Sequence, residues 1–541
     1  MIEKARAWRG AFLACAIILS ALAVRVGYGL AKFDFHVDEG ITLAVTNGTW
    51  NGPESPGLYE RWMDKAELEE IVFNGNLRAA DRVDFARIAG ITAADVHPPL
   101  FYWFYAIARR GVGVGNYLWA CLLLNGTCFV LVSLLLLATM RRACGSSRLA
   151  LLALALYAFS PAAVSLTRFI RMYELLELAC MAFLCSACFA LFPRRDGTHG
   201  LARVLAIAGL SLSSFTGLLT QYHFLLFVAP VSLAAAGVLA KRMEAATLLW
   251  CVLAVSVGLY SAWLVFPAME SHLFRSSRAA QSAANLLGHG VGGRLERLAS
   301  FAVLALRSMP AVLAGMACGL FGFYSAARAR FRADRPAPGN AGRGARDDAS
   351  SGDEFSAAIP PAFLAVLAVA ACLSFAAVAL SAPYRSLRYI AAFTPLYSML
   401  GACAVARFLP GWRGARALLA ALAVGIVPGL FPFNVSNFHE DYVVDIDPAF
   451  LRDAKPAIVV SEYQGHAWKA LLPYASLSRA KRVYVTVRGQ GFSGGDSYRA
   501  IAARSGGEET RLLVDTLLPQ PDNLERLGTL GFYSAYRIET E

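Results

Sequence analysis

Residues 11–40 read AFLACAIILSALAVRVGYGLAKFDFHVDEG, an apolar run followed at once by acidic and histidine side chains. The run has the length of roughly 20 residues that a helix needs to cross a bilayer. It raises the question of why a chain entering a membrane places Asp34, Asp38 and Glu39 just beyond its first span. A solvated loop is the ordinary explanation, and a site at the membrane surface is the alternative.

The whole chain is as apolar as this opening. Its 541 residues are 57% hydrophobic and 16% charged, and the mean hydropathy of +0.50 is far above that of soluble globular proteins. The composition therefore predicts a polytopic membrane protein. Lys4, Arg6 and Arg9 before the first run would also suit a secretory signal peptide. The many later apolar runs favour an uncleaved first helix.

The excess of basic residues is explained by topology. The formal net charge is +12, but the arginines lie mainly in short loops between apolar runs, as the positive-inside rule requires of cytoplasmic loops. No nucleic-acid partner is implied. The eleven cysteines lie in or beside apolar runs, which predicts no disulfide framework. The one Cys-x-x-Cys pair, Cys185 and Cys188, falls inside a span, where packing is the expected role.

Apolar runs of about 20 residues predict about eleven transmembrane helices. With the N-terminus inside, this odd number places the C-terminus on the outer side. The predicted spans are 10–30, 116–140, 149–166, 171–192, 202–220, 222–240, 246–267, 301–324, 359–381, 389–408 and 415–433.

The predicted domains follow from these spans. Residues 1–433 form a transmembrane domain, in which 31–115 make a long outer loop with interfacial helices, including a charged helix at RWMDKAELEEIVF (61–73). Residues 325–357 are rich in Gly, Pro and charge and predict a disordered cytoplasmic linker. Residues 434–541 predict a small outer α/β domain. Its expected strands are AIVVSE, RVYVTV, RLLVDTLL and FYSAYRIE, with a helix at HAWKALLPYA.

Five segments on the outer side carry the side chains of chemical interest. Adjacent carboxylates at the exit of a span, such as Asp38 and Glu39, can bind a metal or act as a general base, because partial desolvation raises their proton affinity. Ordinary interfacial charges are the alternative. The five segments are the first loop, 165–174, 220–223, 268–300 and 381–389.

Four arginines, Arg168, Arg171, Arg385 and Arg388, lie on this outer side, against the positive-inside trend. Snorkelling to lipid headgroups would explain each of them singly. Arg171 also stands three residues before Glu174, the spacing of a helical ion pair. Guanidinium groups bind phosphate oxygens in a fork, however, and one shared anionic, lipid-linked ligand would explain all four.

The stretch DVHPPLFYWFY, residues 95–105, joins two prolines to an aromatic cluster. Proline is tolerated in the first turn of a helix, and aromatic residues favour the headgroup layer, so the stretch predicts a helix at the interface. His97 is then a helix cap, a metal ligand or a substrate contact.

Taken together, these motifs resemble the GT-C superfamily of membrane glycosyltransferases, in particular the branch of protein O-mannosyltransferases and the lipid A aminoarabinose transferase. The matching features are HVDEG after the first helix, HPPLFYW before the second, RMY opening the fourth and RYIAAFTPLYSMLG near the end. They lie within residues 1–433. Phe169 and Ile170 depart from the family, which often has Gln-Glu before the RMY arginine, and Glu174 is the nearest acidic substitute.

The resemblance implies a GT-C fold and a polyprenyl-phosphate sugar as donor, with a protein, lipid or polysaccharide hydroxyl as acceptor. Direct displacement of the lipid phosphate implies inversion, and the expected location is the periplasmic face of a bacterial inner membrane. Asp38 or Glu39 matches the catalytic base. The matching phosphate-binding positions are Arg171 and Arg388, with Arg168 and Arg385 as second choices. The expected substrate contacts are His97, Tyr102, Tyr173, His223 and Tyr389.

No cofactor is expected, because arginines can stabilise a departing monophosphate. A divalent ion bound by His36, Asp38, Glu39 and His97 is the alternative. The competing function is a transporter or flippase of lipid-linked glycans, which would place polar groups near the bilayer midplane. An inactive scaffold is a third alternative, and the acidic pair argues against it.

Overall fold

The computed structural model describes most of the chain. The predicted linker 325–357, the predicted span 415–433 and most of the predicted span 301–324 lie outside the described residues, as does nearly all of the helix predicted at HAWKALLPYA. The described residues are 2–30, 32, 36–46, 58–68, 83–112, 117–192, 199–288, 290–309, 359–408, 443–447, 449–462, 467, 471, 479–487, 495–505 and 509–539.

Helices form the membrane part. They are α1 (Ile2–Leu30), α2 (Val37–Thr46), α3 (Phe85–Ala94), α4 (Leu100–Val112), α5 (Tyr117–Cys144), α6 (Ser147–Ala158), α7 (Pro161–Thr167), α8 (Tyr173–Leu191), α9 (His199–Thr220), a 3₁₀ turn (Tyr222–Phe224), α10 (Leu225–Lys241), α11 (Ala245–Val265), α12 (Met269–Phe274), α13 (Ser277–Leu287), α14 (Val291–Ser308), α15 (Pro361–Ser381), α16 (Arg388–Ala391) and α17 (Thr394–Phe408).

Seven of these described helices are long and apolar enough to cross a membrane, and α6 with α7 makes an eighth if that bent pair is one span. They correspond to eight of the eleven predicted spans. The predicted span 389–408 is not one helix, because the chain breaks between α16 and α17. The predicted class, a helical polytopic membrane protein with a small C-terminal α/β domain, is confirmed.

The bend of 62° between α6 and α7 has a local cause. Pro161 opens α7 and has no backbone N–H to continue the helix, and Ser160 before it takes an extended conformation. The break leaves carbonyls of α6 without helical donors. Arg25 of α1 replaces one donor, because its Nη1 lies 2.6 Å from the carbonyl oxygen of Ala158.

The C-terminal part is built on a seven-stranded sheet with the order β1-β4-β3-β5-β7-β6-β2. The three strands β4, β3 and β5 are parallel, and the other pairings are antiparallel. The strands are β1 (Trp62–Asp64), β2 (Val443–Val444), β3 (Ala457–Ser461), β4 (Arg482–Val487), β5 (Thr510–Asp515), β6 (Glu525–Gly531) and β7 (Tyr533–Ile538), with helices α18 (Ala449–Arg452) and α19 (Gly495–Ala503).

One strand of this sheet comes from the first loop. β1 pairs with β4, with Trp62 opposite Tyr484, so the expected helix over 61–73 is wrong at its start. Glu60, in the left-handed region with φ of 63°, donates its N–H to Val485. Its carboxylate accepts from Tyr484 at 2.9 Å. A shared sheet requires the first loop and the C-terminal part to lie on the same side of the membrane.

Candidate active site

Separate stretches of the chain meet around one cavity of about 220 Å³. They are the first loop, the turn before α8, the 3₁₀ turn before α10, helices α12 and α13, and the segment leading into α16. These are the five outer segments that the sequence singled out. Asp38, Arg171 and Arg388 supply the charged groups of the cavity wall, and Asp38 is the one carboxylate among the described side chains that line it.

Asp38 lies in the first turn of α2, where the helix dipole favours negative charge. Its side chain is 18% exposed, and Oδ2 accepts a hydrogen bond from Arg388 Nη1. Burial alone would raise the pKa of Asp38, but the guanidinium groups of Arg388 and Arg171 hold that pKa well below its usual range. Asp38 is therefore ionised at neutral pH.

Arg388 opens α16 and is 3% exposed. Its Nη1 donates to Asp38, and its Nη2 donates to the hydroxyl of Tyr384. The guanidinium carbon also lies 5.1 Å from the ring centre of Tyr384, 5.4 Å from Tyr389 and 5.9 Å from Tyr173. Three electron-rich rings and one carboxylate therefore compensate a charge that burial would otherwise make costly.

Arg171 lies in the turn 168–172 between α7 and α8, hereafter the arginine turn, and is 2% exposed. Its Nη1 donates to the Tyr102 hydroxyl at 3.1 Å and to Thr42 and the Asp38 carbonyl at 3.3 Å. Its Nη2 lies 2.9 Å from His97 Nε2. A guanidinium only donates, so His97 Nε2 accepts and its ring proton is on Nδ1. Arg171 thus enters the cavity in a fixed orientation.

Glu39 lies behind the cavity wall and is fully buried. Lys32 Nζ donates to Oε1 at 2.6 Å, the backbone N–H of Ile170 donates to the same atom at 2.8 Å, and the N–H of His36 donates to Oε2 at 2.8 Å. The last bond is that of a capping box, in which the third residue of a helix reaches back to the cap. Burial raises the pKa of Glu39, and Lys32 opposes this. Glu39 ties α2 to the arginine turn.

The other predicted substrate contacts differ in position. His97, Tyr173, His223 and Tyr389 line the cavity, with the rings of His223 and Tyr389 stacked at 4.8 Å between centres. Tyr102 is not among the lining side chains and reaches the site through its bond with Arg171.

The two second-choice arginines do not line the cavity. Arg168 is buried, and its carbonyl accepts from Lys32 at 3.2 Å, whereas Arg385 is half-buried. The alternative role of Arg171, an ion pair with Glu174, is not formed, because Arg171 donates elsewhere and Glu174 accepts from Thr167 at 3.3 Å.

A scan of protein-family models finds no match, and a search of curated proteins finds none either. Among solved structures, the chain is similar to ArnT from Cupriavidus metallidurans bound to undecaprenyl phosphate, with 12% identity and a TM-score of 0.49 over 97% of each chain.

Two structures of the Archaeoglobus fulgidus oligosaccharyltransferase are also similar. The complex of AglB with an inhibitory peptide and a dolichol-phosphate has 12% identity and a TM-score of 0.46, over 94% of this chain and 70% of that one. The complex with Zn and sulfate has 14% identity and a TM-score of 0.43, over 92% and 68%.

Several cavity residues were not singled out from the sequence. They are Gln221, Tyr222, His272 and Tyr384, of which Tyr384 contacts Arg388. His272 Nε2 lies 3.0 Å from the carbonyl of Ala93, so it donates, and Nδ1 accepts from Tyr222 at 2.8 Å. A lone histidine in a polar segment gives no signal of this role, because both of its partners are distant in sequence.

The alternative metal set does not gather into one site. Glu39 is engaged by Lys32 and backbone N–H groups, Asp38 by Arg388, and His97 by Arg171. Within the described part of the chain, no group of three or more His, Cys, Asp or Glu side chains is placed to hold a metal ion.

Proposed function

We propose that this protein is a membrane glycosyltransferase that moves a single sugar from a polyprenyl-phosphate carrier to an acceptor hydroxyl on the outer face of the membrane. The observation that carries the proposal is the cavity in which one carboxylate, Asp38, faces two buried guanidinium groups, Arg171 and Arg388. A base for the acceptor and cations for the departing phosphate are the two requirements of glycosyl transfer from a lipid phosphate.

The charge of the cavity suits a phosphodiester. Two protonated arginines and one ionised Asp38 leave one net positive charge, which a single phosphodiester anion would neutralise. Burial makes an uncompensated charge costly, so this balance favours a monophosphate-linked donor. Aromatic rings and polar groups such as Tyr173 and Gln221 line the remaining wall and suit the faces and hydroxyls of a sugar.

In the proposed reaction the acceptor oxygen attacks the anomeric carbon as the bond from that carbon to the phosphate oxygen breaks. Asp38 takes the acceptor's proton, and polyprenyl phosphate leaves against Arg171 and Arg388. A single displacement of this kind inverts the anomeric centre. A phosphate held by Arg388 would share that guanidinium with Asp38 and so increase the proton affinity of the carboxylate when the donor is bound.

The outer location is part of the proposal. Cavity segments and the C-terminal sheet lie on one side of the helices, because β1 of the first loop belongs to that sheet. Arg141 and Arg142 in the last turn of α5 and Arg148 at the start of α6 lie at the opposite ends of these helices. By the positive-inside rule this opposite side is cytoplasmic.

The test uses the purified full chain in lipid nanodiscs with a panel of synthetic undecaprenyl-phosphate monosaccharides and a membrane extract as acceptor source. We expect acceptor-dependent release of undecaprenyl phosphate from at least one donor, and loss of release in Asp38→Asn. Binding of lipid-linked sugars without release, accompanied by their movement across vesicle membranes, would instead favour the transporter alternative.

A further inference from the structure

The arginine turn is held by an asparagine from inside the membrane part. Asn125 lies in α5 within the apolar run LLLNGTC and is fully buried. Its Nδ2 lies 3.0 Å from the carbonyl oxygen of Phe169, 3.1 Å from that of Thr167 and 3.5 Å from that of Leu166. One amide group therefore spans the end of α7 and the start of the arginine turn.

The Thr167 carbonyl needs a side-chain donor for a physical reason. Helix α7 ends at Thr167 and α8 begins at Tyr173. Leu166 still accepts from the N–H of Phe169 at 3.0 Å and Phe169 from that of Arg171 at 2.7 Å, whereas no backbone N–H of the described residues bonds to the carbonyl of Thr167. In a membrane protein, water is not there to replace it, and each unsatisfied group costs several kcal/mol. The Asn125 amide supplies a donor to Thr167, where Cys121 Sγ lies farther away at 3.6 Å, and a second donor to Phe169.

The same turn is also bonded by Lys32 and Glu39 of the first loop. Lys32 donates to the Arg168 carbonyl and Glu39 accepts from the Ile170 N–H. The backbone from 167 to 170 is thus bonded both from the first loop and from α5. Arg171 follows directly, and its guanidinium points into the cavity.

We propose that Asn125 is a positioning residue, which sets the place of the Arg171 guanidinium by holding the carbonyls of the arginine turn. The inference rests on the proposed role of Arg171 in binding the donor phosphate. Asn125 does not line the cavity, so it acts through the backbone. A displacement of about 1 Å at a group that orients a reacting substrate can cost on the order of a hundredfold in rate.

The experiment measures undecaprenyl phosphate binding and the KM and kcat of donor turnover for Asn125→Leu in nanodiscs. Leucine has nearly the shape of asparagine but donates no hydrogen bond. We expect binding to weaken and kcat/KM to fall between about tenfold and a hundredfold. Asn125→Ser keeps one donor, so its binding and its kcat/KM should lie between those of Asn125→Leu and the parent chain. It replaces Asn125→Leu in the experiment if that variant does not fold.

Ser133→Ala is the matched control. Ser133 is buried two turns along the same helix, and its hydroxyl has no hydrogen-bond partner among the described residues. If Asn125 only helps helices to pack, its variants should lower the melting temperature but leave undecaprenyl phosphate binding as unchanged as it is in Ser133→Ala. That result would overturn the inference.

A double-mutant cycle separates the inference from the proposed function. If Asn125 acts through Arg171, adding Asn125→Leu to Arg171→Ala should weaken binding no further. Additive losses would contradict the positioning role. If Arg171→Ala itself leaves undecaprenyl phosphate binding unchanged, the proposed phosphate role of Arg171 is wrong. If Arg171→Ala weakens binding but Asn125→Leu does not, only the proposed role of Asn125 is contradicted.

Discussion

Asp38 and Glu39 are neighbours in sequence but belong to two different regions of the molecule. Asp38 lies in the cavity wall, 18% exposed and paired with Arg388. Glu39 lies behind the wall, fully buried and bonded to Lys32 and to the backbone of Ile170. Successive residues of a helix point about 100° apart, so one step along α2 separates a group that can meet a substrate from one that cannot.

The comparison shows what a pair of carboxylates at the exit of a span can do. In the cavity region the ionised groups can change partners, because a bound phosphate can compete with Asp38 for Arg388. The region behind it uses the same chemical groups to fix the backbone that presents Arg171. The two regions should therefore respond differently to the same isosteric change from acid to amide.

The largest effect is expected for Asp38→Asn. The amide cannot take a proton from the acceptor, so turnover should fall by about 10² to 10⁴, while the helical content stays near that of the parent chain and the affinity for undecaprenyl phosphate is not lowered. Single-turnover rates with the active donor measure this. Near-normal turnover would mean that Asp38 is not the base.

Glu39→Gln should instead act mainly on stability. Removing one partner of a buried ion pair leaves Lys32 uncompensated and costs about 3–5 kcal/mol, which thermal unfolding in detergent would detect as a lower melting temperature. The control is the double variant Lys32→Met with Glu39→Gln, in which neither side chain of the pair is charged and much of the lost stability should return. If Glu39→Gln melts like the parent chain but is inactive, Glu39 belongs to the chemistry and the comparison fails.

Arg388→Lys tests whether the cavity needs the fork of a guanidinium. Lysine keeps the charge but not the two parallel donors, so undecaprenyl phosphate binding should weaken by about tenfold to a hundredfold, the loss of a charge-assisted hydrogen bond. The control is Arg385→Lys. Arg385 lies three residues earlier and outside the cavity lining, so the loss of binding should be much smaller. Equal effects of the two changes would favour a general attraction to lipid headgroups.

The pH dependence gives a finer test of the Asp38–Arg388 pair. The pKa of Asp38 is lowered in the folded chain, so the stability from this pair is present above the usual aspartate range of about 4 and is lost as the pH falls through the lowered value. In Arg388→Gln, Asp38 stays buried, but one of the two guanidinium groups that lower its pKa is gone. The acid limb of kcat/KM should then move to higher pH. An unchanged limb would show that the pair does not set the protonation of Asp38.

The helices and the outer segments could be predicted from sequence because they depend on local properties. Runs of apolar residues and the placement of arginines are enough to order the spans and to bring Asp38, Arg171 and Arg388 to one side. The capping spacing of His36 and Glu39 was also present in the sequence and would have separated Glu39 from Asp38.

The remaining features depend on contacts between distant residues. Trp62–Asp64 forms a strand because β4, more than 400 residues later, offers an edge, whereas its charged sequence alone suggests a helix. Asn125 and His272 also gain their roles from carbonyls of other elements. The sequence pattern of their own segments cannot predict those partners.

The smallest effect is expected from removal of metal ions. The wall already carries two arginines against one ionised Asp38, and a divalent cation would add to the positive charge that Asp38 balances in part. Asp38, Glu39 and His97 are each bonded to a cationic side chain, and a metal would have to displace those cations. Turnover after extensive chelation should therefore stay within about twofold of the untreated protein, because the arginines stabilise the departing phosphate. The opposite result would be a loss of turnover with EDTA that one particular ion restores, together with a change in the preferred ion in His97→Ala. It would show that Asp38 binds a metal before it acts as a base.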